Sequence, residues 1–233
     1  DRSPSRGLGD VYKRQANSNG QINFWDSAGN IKRTFKAHNT EIRTLAFSPD
    51  GTLMLTGSKD NTAKLWNHEN EELIQDFKGH RGEVYVVAFS PNGKSILTGS
   101  WDSKARLWEL NGDLKFEYKG HWGAIRSLAF SPNGKQILTG SFDNTMRLWN
   151  INGDLLDSFS GHESEVNYVS FSKDSKTITS GSRDGSIRNW FRKGPKEVVI
   201  DEDNVNRSVR FSPDGKTFLS GTQNKAQLWD LQG

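Results

Sequence analysis

The chain has 233 residues, of which 25% are charged and 33% are apolar. No stretch approaches the roughly 18 consecutive apolar residues of a membrane-spanning helix, the first residues do not have a signal-peptide pattern, and no cysteine is present for a disulfide or a thiolate metal site. Residues 1–15 hold four basic and two acidic residues, so the net charge of +3 falls to +1 in the rest of the chain. This balance argues against a nucleic-acid partner, and we expect a cytoplasmic protein with no membrane contact.

Residues 1–15 carry no β pattern, and we expect a non-repeat leader that is either foreign to the protein or disordered. From residue 16 the texture changes, and residues 16–35 are typical of the end of one strand followed by two more strands. The repeating part of the chain is therefore predicted to cover residues 16–233.

Three residue types then recur at fixed steps. Four of the five histidines are spaced 42, 41 and 41 residues apart; an aspartate follows each histidine after 22 residues, and a tryptophan follows each aspartate after six. Chance does not hold four such triples to one spacing, so the pattern indicates an internal repeat. The triples are His38, Asp60 and Trp66; His80, Asp102 and Trp108; His121, Asp143 and Trp149; and His162, Asp184 and Trp190.

Each repeat has the sequence pattern of four short strands. In residues 80–119, the apolar run VYVVAF is followed by an SPNG turn, the run SILTG, the run KARLW, an Asn-Gly hairpin signal and the alternating run LKFEY. A single four-stranded sheet cannot bury its own faces, so the repeats are expected to stack around an axis as a propeller. The predicted blades are approximately 16–36, 37–78, 79–119, 120–160, 161–200 and 201–233.

The Gly-His pair, the Ser-Pro-Asp/Asn-Gly turn, the turn aspartate and the Leu-Trp ending together resemble the WD-repeat (WD40) β-propeller family, in its regular, near-consensus bacterial form. The resemblance implies an all-β fold with four complete and two partial blades. Because the two partial blades cannot merge into one, we expect an incomplete ring, cut from a propeller of seven or more blades.

The resemblance also implies a role for the recurring residues, which is a hydrogen-bonded structural network of histidine, Thr or Ser, aspartate and tryptophan. A Ser/Thr-His-Asp hydrolase is disfavoured, because a catalytic set occurs once and not four times. A metal site is disfavoured for the same reason, and we expect no cofactor. The acidic run 201–203 and His68 are interpreted as solvated loop residues. The network members are His38, Thr56, Asp60, Trp66, His80, Thr98, Asp102, Trp108, His121, Thr139, Asp143, Trp149, His162, Ser180, Asp184 and Trp190.

Positions that vary between the copies are the candidates for binding a partner. In the family that the chain resembles, two sets of positions face the upper rim of the propeller. One is the residue before each turn aspartate, and the other is the residues three and five after each histidine. Exposed aromatic side chains beside arginine are typical of interface hot spots. The candidate partner-binding residues are Glu41, Arg43, Lys59, Glu83, Tyr85, Trp101, Trp122, Arg126, Phe142, Asn167 and Arg183.

We therefore expect a non-catalytic scaffold that binds a protein or peptide on this rim. Two alternatives remain open at this stage. In the first, the chain is a purely structural or multimerising repeat that associates with itself through open blade faces. In the second, it is the sensor part of a larger signalling ATPase or kinase.

Overall fold

A computed structural model describes residues 13–191, 197–201, 208–212, 217–221 and 225–230. Within these ranges every helix or strand assigned is a β-strand, and no helix is long and apolar enough to cross a membrane. The 22 strands form six antiparallel sheets, which we number 1 to 6 in chain order.

The strands have the following bounds. Sheet 1 contains β1 (Lys13–Ala16), β2 (Gln21–Trp25) and β3 (Ile31–Lys36). Sheet 2 contains β4 (Ile42–Phe47), β5 (Leu53–Ser58), β6 (Ala63–Asn67) and β7 (Leu73–Phe77). Sheet 3 contains β8 (Val84–Phe89), β9 (Ser95–Ser100), β10 (Ala105–Glu109) and β11 (Leu114–Tyr118). Sheet 4 contains β12 (Ile125–Phe130), β13 (Gln136–Ser141), β14 (Met146–Asn150) and β15 (Leu155–Phe159). Sheet 5 contains β16 (Val166–Phe171), β17 (Thr177–Ser182), β18 (Ser186–Phe191) and β19 (Glu197–Asp201). Sheet 6 contains β20 (Ser208–Phe211), β21 (Thr217–Gly221) and β22 (Ala226–Asp230).

The sheets stack face to face in chain order. From sheet 2 onward, the first strand of each sheet contacts the first strand of the next sheet. The apolar core is divided into clusters that lie between neighbouring sheets, such as the one where Leu55 and Phe77 of sheet 2 meet Val84 and Ile96 of sheet 3. The prediction of an all-β propeller-type stack with four complete and two partial blades is confirmed, and the described residues do not close into a ring.

Burial differs between the strands of one sheet. The second strand is the most deeply buried, and five of the six residues of β9 are buried. The first strand β8 is only partly covered, although its sequence is more apolar. The reason is that a second strand has a hydrogen-bonded neighbour on each side, whereas a first strand has one open edge. The fourth strand β11 is exposed at its start and buried at its end, so its burial follows the position along the strand and not the alternation in its sequence.

The predicted turn after the first strand depends on one residue in the left-handed region. Gly93 and Gly134 have φ of 69° there, where glycine has no steric cost. Sheet 5 has the sequence SKDS at this turn, and Ser175 adopts φ of 59° in place of the glycine.

β structure is present before residue 16. Strand β1 begins at Lys13, inside the segment that was expected to be a leader without β structure, and Gln15 pairs with Asn23 of β2. Backbone pairing to β2 organises these residues, and it does not depend on an alternating side-chain pattern. Residues 1–12 lie outside the described residues.

Candidate functional site

Four hydrogen-bonded quartets occupy sheets 2 to 5. In each, histidine Nδ1 lies 2.7–3.0 Å from an aspartate Oδ2, and Nε2 lies 2.7–2.8 Å from the side-chain oxygen of Thr or Ser. The tryptophan Nε1–H donates to the same oxygen over 2.9–3.0 Å. The quartets are His38-Thr56-Asp60-Trp66, His80-Thr98-Asp102-Trp108, His121-Thr139-Asp143-Trp149 and His162-Ser180-Asp184-Trp190.

The sheet 3 quartet shows how every polar atom obtains a partner. A neutral His80 donates its Nδ1–H to Asp102 and accepts the Thr98 hydroxyl proton at Nε2, and the Thr98 oxygen accepts the indole N–H of Trp108. Burial lowers the pKa of His80 because it disfavours the charged imidazole, and this outweighs the effect of the neighbouring Asp102, which acts to raise that pKa. The imidazole is therefore neutral at pH 7.

The aspartates remain ionised. Burial acts to raise the pKa of Asp102, but its hydrogen bond from His80 and the charge of Arg106 outweigh burial and hold that pKa at about 2. The pKa values of Asp60 and Asp184 are likewise held at about 2, against burial, by their hydrogen bonds.

These quartets connect separate parts of the chain. Asp102 also accepts the backbone N–H of Arg81 and that of Lys104, so it ties the link between sheets 2 and 3 to the turn between β9 and β10. The central hydroxyl of each quartet is fully buried, as Thr98 and Ser180 show at 0% exposure. A nucleophile must be reached by its substrate, so these hydroxyls cannot serve as one.

The quartet of sheet 6 is reduced to a pair over the described residues. Trp229 Nε1 donates to Ser220 Oγ over 2.8 Å. The positions Gln223 and Asn224, which stand where the other repeats have the turn aspartate, lie outside the described residues, as do the side chains of the acidic run 201–203.

The expectation of a solvated His68 is wrong, because this residue is only 4% exposed. Its ring lies edge-on to Phe47 with 5.7 Å between the ring centroids, and its carbonyl oxygen accepts a hydrogen bond from Arg33 of sheet 1. A residue of the neighbouring sheet therefore covers this turn.

The upper face is the face that carries the turns between second and third strands. In sheets 2 to 5 the first strand has a β-bulge near its start, where one of its residues has no partner on the second strand. Such a bulge turns the extra side chain away from the regular alternation. The extra residues are Arg43, Tyr85, Arg126 and Asn167.

The residue before each turn aspartate is fixed beside this bulge by a backbone bond. The N–H of Trp101 donates to the carbonyl of Glu83 over 2.9 Å, and the N–H of Phe142 donates to the carbonyl of Ala124 over 3.0 Å. The upper-face positions of one sheet are thus adjacent in space although about 18 residues separate them.

Three aromatic rings and two arginines meet on this face, and we call them the rim patch. Tyr85 stacks on Trp101 with centroids 5.6 Å apart, and Trp101 meets Phe142 of the next sheet edge-on at 5.4 Å. The guanidinium carbons of Arg43 and Arg126 lie 5.2 Å and 4.7 Å from the centre of the Tyr85 ring. Trp101 remains 50% exposed, so the patch presents a large aromatic surface to solvent.

A pocket of about 350 Å³ adjoins the rim patch. Arg43 forms one wall, and its charge is balanced by Glu41 at 2.9 Å and Glu83 at 2.7 Å. The pocket therefore offers an aromatic wall beside a fixed ion-pair network. Its lining is Arg43, Lys59, Asn61, Gly82, Glu83, Tyr85 and Trp101.

Not every predicted binding residue joins the patch. Trp122 is 91% exposed and, within the described part of the chain, no ring contacts it. Arg183 pairs with Glu165 at 3.0 Å, on sheet 5 and apart from the aromatic rings. Within the described residues, neither one adds a ring contact or a cation–ring contact to the rim patch.

Stacked four-stranded sheets, each held by the same buried polar quartet, define a repeat scaffold whose variation is concentrated on one face. The chain belongs to the WD40 repeat family. The pattern of the family, described as "WD domain, G-beta repeat", matches residues 29–67, 71–109, 112–150, 153–190 and 200–230. Domains of this family generally act as protein-interaction scaffolds and are typically non-catalytic.

Individual relatives are similar over short segments only. The chain is 38% identical over 52 residues to eukaryotic translation initiation factor 3 subunit I of Aspergillus oryzae, and 31% identical over 61 residues to polyadenylation factor subunit 2 of Candida albicans. It is 38% identical over 50 residues to the nuclear distribution protein PAC1 of Coccidioides posadasii. These matches cover 22–26% of this chain and 11–16% of the relatives.

Proposed function

We propose that this protein is a non-catalytic scaffold that binds a protein or peptide partner on its upper face, between sheets 3 and 4. The observation that supports this most directly is the rim patch, where an exposed tryptophan contacts two further rings. Tryptophan, tyrosine and arginine are the side chains that contribute most to protein–protein affinity. A folded scaffold has no structural need to leave Trp101 half exposed.

The geometry of the patch favours an apolar or aromatic anchor on the partner. Tyr85 is held between arginines, and Glu41 and Glu83 fix one of these arginines in place. Side chains that are already positioned lose little conformational entropy when a partner binds. The adjoining pocket can receive one side chain from the partner, with Trp101 as its aromatic wall.

Peptide selection on the immobilised chain, followed by affinity measurement, tests this proposal. We expect selected peptides to lose at least about 30-fold in affinity when Trp101 and Phe142 are both changed to alanine, because residues of this type cost 2 kcal/mol or more at hot spots. A variant in which four residues are all changed to alanine should not bind at all; these are Tyr85, Trp101, Arg126 and Phe142. Leu114→Ala is the matched control, since Leu114 is similarly exposed on an outer strand.

Two results would contradict the proposal. Peptides that bind the alanine variants as tightly as the original chain would favour the purely structural alternative. Equal loss with Leu114→Ala would show that the rim patch is not the binding surface. A thermal unfolding curve for each variant establishes that the fold survives the substitutions.

The absence of cysteine from the sequence supports the further proposal of a cytoplasmic location. The uniform repeat spacing supports the proposal that the array is of the regular bacterial type.

A further inference from the structure

One pair of facing positions differs between otherwise similar sheets. In sheets 2 to 5 the third strand carries a basic residue opposite the fourth strand, at equivalent register. The facing residue is a carboxylate in sheets 2 and 3 but not in sheets 4 and 5. The pairs are Lys64–Asp76, Arg106–Glu117, Arg147–Ser158 and Arg188–Val199.

Sheet 3 shows how a carboxylate engages this arginine. Nε and Nη2 of Arg106 both donate to Glu117 Oε2, over 2.8 Å and 2.5 Å, and Nη1 lies 3.3 Å from Asp102 Oδ2. The Arg106 side chain is only 6% exposed. A planar guanidinium in this position is thus held by an acid from the outermost strand.

Sheet 4 has the same arginine without the acid. Nε of Arg147 is buried and has no hydrogen-bond partner among the described residues, and none of their carboxylates lies within ion-pair distance of it. Nη1 packs against Gly120, where an added Cβ would lie 2.0 Å from it. The nearest acid on the outer strand is Asp157, whose Oδ1 accepts the backbone N–H of Ser158.

Arg147 as a whole is only half-buried, so its terminal nitrogens can take an acceptor from outside the sheet, as Nη2 of Arg106 takes one from Glu117. The outer strand β15 is open to such an acceptor. Its first four residues are all exposed, whereas the corresponding strand β11 of sheet 3 is exposed only over its first two. Leu155 and Leu156 are 48% and 47% exposed and provide apolar contact area two to three residues from Ser158.

We propose that the outer edge of sheet 4 binds an acidic peptide, with one peptide carboxylate taking the place at Arg147 that Glu117 takes at Arg106. The occupant is an extended segment with a glutamate or aspartate near an apolar residue. This edge site is distinct from the rim patch, because it uses the third and fourth strands and not the upper face.

Fluorescence anisotropy with a labelled eight-residue peptide of alternating Glu and Thr tests the proposal on the full chain. A peptide with Gln in place of Glu is the matched probe. We expect Arg147→Gln to weaken binding of the Glu peptide about tenfold or more. Lys94→Gln removes the same charge from an exposed turn and should leave the affinity within about twofold.

Ser158→Glu is the second variant, and it retains the arginine. It supplies an internal carboxylate, as in sheet 3, so it should weaken binding to a similar extent and raise the thermal midpoint. Glu117→Ser is the converse change, because it removes the acid from Nε and Nη2 of Arg106 and should add one bound peptide per chain.

Four results would overturn the proposal. The Glu peptide fails to bind, or the Gln peptide binds equally well. Lys94→Gln weakens binding as much as Arg147→Gln does, which indicates unspecific charge attraction. Ser158→Glu leaves binding unchanged. A direct check is the Nε–Hε resonance of Arg147, assigned by its loss in Arg147→Gln, which should shift when the Glu peptide is added.

Discussion

Thr98→Val removes one hydroxyl from the centre of the sheet 3 quartet and keeps the shape of the side chain. Thr98 is fully buried, and its Oγ1 lies 2.7 Å from His80 Nε2 and 2.9 Å from Trp108 Nε1. With valine, both nitrogens lose their partner inside the protein. Each such group costs about 1–3 kcal/mol, so the free energy of unfolding should fall by about 2–6 kcal/mol in total.

Urea unfolding at pH 7, followed by tryptophan fluorescence and circular dichroism, measures this loss. Thr52→Val is the control, because it makes the same chemical change in an exposed turn and should alter stability by no more than about 0.5 kcal/mol. A double-mutant cycle with Trp108→Phe should give a coupling energy of about 0.5–3 kcal/mol. If Thr98→Val is as stable as the control, or if the cycle shows no coupling, the quartet does not stabilise the sheet.

Three further predictions follow from the same geometry. Acidification should lower the free energy of unfolding, because the unfolded chain takes up protons at His80 near pH 6.5 and at Asp102 near pH 3.8, where the folded chain resists protonation. Urea unfolding between pH 7 and 2 measures this loss, and Asp102→Asn should make the lower step smaller, since Asp60 and Asp184 still contribute to it. Glu117→Gln should cost about 1.5–3 kcal/mol in urea unfolding, because it weakens charged hydrogen bonds to a buried guanidinium. Gly99→Ala should cost about 1–3 kcal/mol in the same assay, since its new Cβ would lie 2.6 Å from Ile125 of the next sheet.

Each of these predictions has a result that would count against it. Stability that does not change between pH 7 and pH 2 would contradict the protonation argument. Glu117→Gln should cost more than Glu69→Gln, which makes the same change at an exposed residue; equal effects would mean that the arginine pair adds nothing. If Gly99→Ala leaves the free energy of unfolding unchanged, sheets 3 and 4 can move apart at that point without cost.

The family resemblance implied the quartets, and the fixed spacing of histidine, aspartate and tryptophan reflects the local geometry in which they form. The Ser-Pro-Asn-Gly turn and the Asn-Gly hairpin fix strand lengths within one repeat. Once those lengths are set, the histidine and the hydroxyl residue of each repeat meet at nearly the same distance, as His80 and Thr98 do in sheet 3. The four-stranded sheets and their number could therefore be predicted from the sequence.

The upper-face positions were predicted only in part. The resemblance indicated which residues lie there, but the bulge at Tyr85 is the physical reason, and no residue type in the sequence marks it. The sequence also grouped Trp122 with Trp101. Trp101 stacks on Tyr85 of its own sheet, because the bulge orients Tyr85 towards it, whereas no ring of the described residues contacts the exposed Trp122.

The repeat period, the strands and the polar quartets were determined by the sequence itself, since turns and alternating patterns act over a few residues. The burial of His68 was decided by the tertiary structure, as was the lack of a hydrogen-bond partner for Arg147 Nε within the described residues. Arg33 reaches His68 from a different sheet, and the acid that Arg147 lacks is missing from the neighbouring strand. Burial and pairing depend on residues that folding brings together across the chain, so these properties appear only when the sheets are assembled.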